Sequence, residues 1–229
     1  MDIAVVLVSG GVNSSVLVGV AAKEHKPALM HVSYGQRTSE RELACFEGIC
    51  THYQVAEKLV VALPHYQTVG GNARVNRKLA VEDATTMGDR PCNTYVPGLI
   101  PTMLGLAYHW ADALGAKKIL IGSSENNGPP GPRTSTIYPD HRRELYHLYN
   151  HLIEITARSQ VRIHLETPLI TMTRAEVIRL GYHLGVPFER TWSCDRHGDK
   201  PCGSCYGCAT RARGFLEAAI PDPLMIRDQ

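Results

Sequence analysis

The chain has 229 residues, 44% of them hydrophobic and 20% charged, with 24 Lys and Arg against 22 Asp and Glu. That length supports one substantial domain with a small appendage, and the composition is far from that of disordered chains. A charge balance this close to neutral argues against the broad basic surface that grips nucleic-acid backbones.

From the start, residues 3–8 form a short apolar, β-branched run that stops at Ser9-Gly10-Gly11, as a buried parallel strand would. A helix is expected from about residue 14. The rhythm then repeats, with strand 28–33, helix 40–53, strand 56–61, helix 101–114, strand 118–122, helix 142–159, strand 162–166 and helix 173–184. Leu104, Ala107, Tyr108, Ala111 and Leu114 recur at helical spacing, and Pro101 suits a first turn. The alternation predicts an α/β fold with a doubly wound, mostly parallel sheet. Two stretches break it, residues 62–93 and 123–137, and both are expected to be mobile lid or binding loops.

Between the first strand and helix, Ser9-Gly10-Gly11-Val12-Asn13-Ser14-Ser15 can turn backbone N–H groups and a helix N-terminus onto an anion. Glycines let the backbone approach phosphate oxygens, and Ser9, Ser14 and Ser15 add hydroxyl donors. A plain strand-to-helix turn capped by Asn13 or Ser14 is the competing reading.

Of seven cysteines, Cys194, Cys202, Cys205 and Cys208 fall in the pattern C-x7-C-x2-C-x2-C, with Gly203 and Gly207 as turn residues. Clustered thiols in an odd total point to a reducing compartment and a metal rather than disulfides. Four thiolates suit tetrahedral zinc with a structural role, an iron–sulfur cluster being the rival occupant and His197 a competing ligand. Met1-Asp2-Ile3 puts an acidic residue where a secretory leader needs positive charge, and no run approaches the ~20 apolar residues of a membrane span. A cytoplasmic protein is expected, with residues 1–190 as a nucleotide-binding domain and 191–229 as a metal-binding segment packed on it.

The loop at Ser9 resembles the PP-loop signature S-G-G-x-D-S of adenine nucleotide alpha hydrolase-like, Rossmann-like folds. Together with Thr191-Trp192-Ser193-Cys194 and Pro201 through Cys208, it resembles the 7-cyano-7-deazaguanine synthase family. Further matches are Tyr34-Gly35-Gln36-Arg37, Thr94-Tyr95-Val96-Pro97-Gly98, Tyr138-Pro139-Asp140-His141-Arg142, Pro168-Leu169-Ile170, and Gly181 with Leu184-Gly185-Val186-Pro187.

The resemblance implies ATP-dependent adenylation of the carboxylate of 7-carboxy-7-deazaguanine, ammonia giving the amide and a second ATP the nitrile, with Mg²⁺ assisting. It implies catalytic roles for Ser9, Asn13, Ser14 and Arg37, and ATP contacts from residues 9–15 with Gln36 and Arg37. Substrate contacts would come from Tyr95, Pro97, Gly98, Tyr138, Asp140 and Arg142, with Asp140 accepting from a guanine-like edge and Arg142 pairing with the carboxylate. A homodimer is implied too.

Departures concentrate near this pocket. Asn13 stands where the family has Asp, and an amide holds a hard cation less well than a carboxylate. Thr38 replaces a histidine, Leu99-Ile100 a polar Arg-Asn, and His141 a cysteine, and the loop before Tyr138 is longer. They leave room for a paralogue of the kind found in antiphage operons, joining the acyl group to a protein N-terminus. Enzymes that modify tRNA, and a nucleotide-binding protein without turnover, stand behind it. The near-neutral charge speaks against nucleic acid.

Overall fold

The structure, a computed structural model, describes residues 1–87, 90–126, 137–157 and 162–226. Strands β1 (Ile3–Leu7), β2 (Lys26–Ser33), β3 (Glu57–Ala62), β4 (Lys118–Ile121) and β5 (His164–Glu166) form one parallel sheet in the order β3-β2-β1-β4-β5. Central β1 is buried on both faces, so it reads as an unbroken apolar run. Edge strand β3 alternates between half-buried and exposed positions instead.

Helices cover both faces. On one lie α1 (Val12–Glu24), α2 (Ser39–His52), α6 (Arg174–His183) and α7 (Tyr206–Ala218), sharing a core that includes Val16, Phe46, Ile178 and Phe215. On the other lie α4 (Leu99–Leu114) and α5 (Arg143–Thr156), packing Leu104, Ala107, Tyr146 and Ile153 against Val5, Leu7 and Ile119. Short α3 (His65–Val69), α8 (Pro223–Ile226) and a 3-10 turn at Phe188–Arg190 lie beside them. Period-two alternation makes this possible: Leu29 faces the first core and its neighbour Met30 the second. The doubly wound parallel architecture expected from the sequence is present.

Several expectations change. The helix expected over 142–159 is described as Arg143–Thr156, residues 158–161 lying outside the described set, and β5 is shorter than the run 162–166. Residues 62–93, read as a mobile loop, contain α3 and bury Ala73, Val75, Val81 and Cys92, so the stretch is a packed wall. Most of the other long loop, residues 127–136, lies outside the described residues. Helix α7 was not anticipated, because its apolar positions are few and it begins between two cysteines. Its Phe215 and Ala218 nevertheless join the main core. Among the described residues no helix is long and apolar enough to cross a membrane.

Strand order decides where a ligand can sit. From β1 the chain moves to β2 on one side, while β4 lies on the other, so the crevice beyond the carboxyl ends of β1 and β4 is the topological switch point. The segment after β1 is Ser9–Ser15, and Gly122 follows β4.

Candidate active site: a phosphate loop open to a ligand cavity

The loop after β1 is built by close approach. Gly10 has φ +80°, and a Cβ there would meet Glu42 O at 2.7 Å and Cys45 Cβ at 2.9 Å, so only glycine lets α2 come this near. Gly11, not Asn13 or Ser14, is the N-cap of α1, and it makes no side-chain capping bond. Ser14 and Ser15 instead donate to Gly11 O at 3.1 and 2.9 Å, while Ser9 and Ser14 hydroxyls lie 3.2 Å apart. The turn is thus closed on itself, with the first N–H groups of α1 directed outward.

A cavity of about 300 Å³ opens over it. Its lining includes Ser9, Gly11, Val12, Asn13 and Ser14 of the loop, Tyr95, Tyr138, Asp140 and His141, and the apolar Leu99, Ile100 and Met103. Burial pushes Asp140 up to about 6, and its backbone oxygen accepts from Tyr146 Oη at 3.2 Å. His141 stacks on Tyr138, centroids 4.9 Å apart, and burial with the Arg174 charge holds it down at about 4, a neutral ring at ordinary pH. Arg142 is the N-cap of α5, two residues after Asp140.

Other expected residues sit elsewhere. Gln36 is buried outside the cavity, accepting from Tyr34 N and donating to Glu42 at 3.0 Å, so it orients a lining carboxylate. Ser15 and Gly10 shape the loop from behind. Pro97 and Gly98 are exposed and turn the chain into α4, Gly98 serving as N-cap with φ +76°. Arg142 is exposed and does not line the cavity. Arg37 donates to Asn76 O at 2.9 Å and Leu79 O at 2.8 Å, and lines a separate basic cavity of about 180 Å³ with Arg77, Arg196 and His197. Arg37, expected to contact ATP, is not among the residues that line the main cavity, and its guanidinium is committed to the carbonyls of Asn76 and Leu79.

Among the described residues, the cations lining the main cavity are two that sequence reasoning missed. Arg74, from the packed wall, pairs with Asp195 and lies 3.5 Å from Glu42, and its Nε donates to Tyr34 Oη at 3.0 Å. Burial alone would lower its pKa, but Tyr34 and Glu42 outweigh it and the net shift is upward. Arg174, at the start of α6, donates through Nη1 to Asn13 Oδ1 at 2.5 Å. Burial pulls Arg174 down to about 10. A signal existed for it. A basic residue in the first turn opposes the helix dipole, and the Thr173–Glu176 capping box marks that turn in the sequence.

Position 13 does not suit a carboxylate-held divalent cation. Asn13 Nδ2 donates to Gly122 O at 3.1 Å and Oδ1 faces the guanidinium, so both ends of the amide are engaged and neither is a strong ligand for a hard ion.

The cysteine segment does suit a metal. Sγ atoms of Cys194, Cys202, Cys205 and Cys208 all lie within 4.8 Å of one another. Backbone N–H groups point at the sulfurs, Cys205 N to Cys202 Sγ at 3.3 Å and Asp195 N to Cys205 Sγ at 3.4 Å, as thiolate ligands require. Hydrogen bonds from Cys205 and Cys208 push the Cys194 thiol below its ordinary value. His197 is turned toward Arg37 O at 3.3 Å and is not in the cluster. Trp192 links this segment to the phosphate loop, its N–H donating to Gly10 O at 2.9 Å and its Nε1 to Cys194 O at 2.9 Å.

A glycine-rich anion loop at the switch point of a five-stranded parallel sheet, with a cysteine metal cluster braced against it, defines an α/β nucleotide-binding enzyme of the PP-loop class. Within that class the chain belongs to the QueC family: the model of "Queuosine biosynthesis protein QueC" matches residues 3–219. It is 38% identical over 222 residues to the 7-cyano-7-deazaguanine synthase of Chlorobaculum tepidum, covering 96% of this chain and 95% of the relative. The synthase of Chloroherpeton thalassium is 36% identical over 222 residues, with the same coverage. Among solved structures, NMN synthetase from Francisella tularensis aligns over 96% of this chain and 87% of its own at 11% identity, TM-score 0.48.

Proposed function

We propose that the chain is an ATP-dependent amide-forming ligase that adenylates the carboxylate of 7-carboxy-7-deazaguanine. The observation that carries this reading is one cavity lined both by the phosphate loop and by Asp140, Tyr95 and Tyr138. The loop N–H groups hold the β- and γ-phosphates, and Asp140 accepts from the two N–H groups on the guanine-like edge of the ring. The ring's carboxylate then faces the α-phosphorus. A carboxylate oxygen forms the new O–P bond, pyrophosphate leaves, and an amine displaces AMP to give the amide. Fixed donors and positioning supply the catalysis, as charge moves onto oxygens already facing N–H groups. Dehydration to the nitrile, with a second ATP, is the further step for the ammonia product.

The metal at the four cysteines is zinc, whose closed thiolate set leaves no open position and whose role is to fold the segment that braces Gly10. A second reading rests on the apolar side formed by Leu99, Ile100 and Met103: there the acceptor is the amine of a partner protein. The test is incubation with ATP, 7-carboxy-7-deazaguanine and ammonium, following pyrophosphate and identifying products by mass spectrometry. Amide or nitrile with stoichiometric pyrophosphate is expected. Adenylate that accumulates without reacting with ammonium would favour the protein acceptor, and no pyrophosphate at all would refute the ligase reading.

A further inference from the structure

Arg174 is placed against three opposing terms. It is a half-buried cation, it stands in the first turn of α6 where the helix dipole is positive, and among the described residues no carboxylate pairs with it. Its Nε is buried without a hydrogen-bond partner. Gly214 of α7 makes room for its stem, since a Cβ there would collide with Arg174 Cγ. A guanidinium held this way, lining the cavity beside Ser9 and Ser14, is short of one thing: an anion.

The polarity around Asn13 says what it replaces. Its NH₂ needs the Gly122 carbonyl, and its oxygen needs Arg174. A carboxylate at position 13 would put an oxygen against the oxygen of Gly122, a repulsive contact unless a cation lay between them. With the amide, that gap is bridged by a proton and the positive charge is covalently fixed.

We propose that the Asn13–Arg174 pair stands in for a carboxylate-held divalent cation, so that this chain binds a nucleoside triphosphate without requiring a divalent metal. Arg174 is the counter-charge to the polyphosphate, and Asn13 is a positioning residue that aims it. The inference rests on the reading of the loop as a nucleotide site and adds its charge logic. No bond is made or broken by it.

The test is calorimetric titration of the zinc-loaded protein with α,β-methylene-ATP, in divalent-free buffer with EDTA at a concentration and exposure that metal analysis shows to leave the thiolate-held metal in place, and again in Mg²⁺. Wild type should bind in both, with Kd differing by less than about threefold. Arg174→Met should weaken binding in EDTA by about ten- to a hundredfold, the loss of one charge-assisted contact, and Arg174→Lys by less. Asn13→Asp should bind weakly in EDTA and recover in Mg²⁺, acquiring the metal dependence that wild type lacks. Melting curves for each variant separate these effects from failure to fold, and Asn13→Asp, nearly isosteric, keeps the test open should Arg174→Met not fold. Binding by wild type only in Mg²⁺ would overturn the inference while leaving the nucleotide site intact. Binding in neither medium would overturn both.

Discussion

Two guanidinium groups line the same cavity, and they are treated differently. Arg74 is saturated, with Asp195, Glu42 and Tyr34 around it, whereas among the described residues Arg174 has a single neutral hydrogen-bond partner in Asn13. The first arrangement holds the wall together with or without a ligand. The second leaves a charge whose complement arrives from outside. Burial is common to both, so what distinguishes scaffold from site is whether the counter-charge belongs to the chain.

The comparison breaks most visibly at Asp195. Asp195→Ala takes from Arg74 one of its two carboxylates and should cost about 1–3 kcal/mol in urea denaturation. Arg174→Met should cost less, because it strands a neutral amide oxygen of Asn13 rather than a charge. Equal losses for the two variants would erase the distinction.

Metal removal comes next. Trp192 connects Cys194 to Gly10, so stripping the cysteine cluster with a strong chelator should lower the melting temperature and weaken nucleotide binding by about tenfold, roughly the worth of the lost loop contact. Unchanged affinity in metal-free protein would uncouple the tail from the loop.

At the ring end, the effect is set by pH. Burial raises Asp140 to about 6 in the folded protein from 3.8, so its carboxylate is lost as pH falls through 6, well above the unfolded value. Affinity for 7-carboxy-7-deazaguanine should fall with it, by about tenfold at pH 5 relative to pH 8. Asp140→Asn should bind weakly and without that pH step. Stability moves oppositely: a raised carboxyl favours the folded state at low pH and loses that contribution between 3.8 and 6 as pH rises. The smallest effect is expected at Thr173, the α6 cap that orients Arg174, where Thr173→Ala should cost about 1 kcal/mol.

How much of this was legible in the sequence depends on how local each feature is. Ser9–Ser15 and the four cysteines are contiguous or nearly so, and their chemistry is written in spacing alone. The strands and most helices followed from periodicity. Arg37 and Arg74 show where local reading stops: both are arginines flanking the same wall, joined by the backbone bond from Arg37 N to Arg74 O at 2.9 Å, yet only Arg74 faces the cavity. Which of them does so is decided by Ala73 and Val75 packing inward, a tertiary fact with no period to betray it. Arg174 meets Asn13 across 161 positions of chain, and helix α7 is held by the core more than by its own apolar pattern.

The most direct test of the ligase reading is isotopic. With both carboxylate oxygens of 7-carboxy-7-deazaguanine labelled with ¹⁸O, attack on the α-phosphorus followed by amine displacement carries one labelled oxygen into AMP. Mass spectrometry should find AMP bearing a single ¹⁸O and amide retaining the other. Unlabelled AMP, or ADP with inorganic phosphate in its place, would contradict adenylation of that carboxylate.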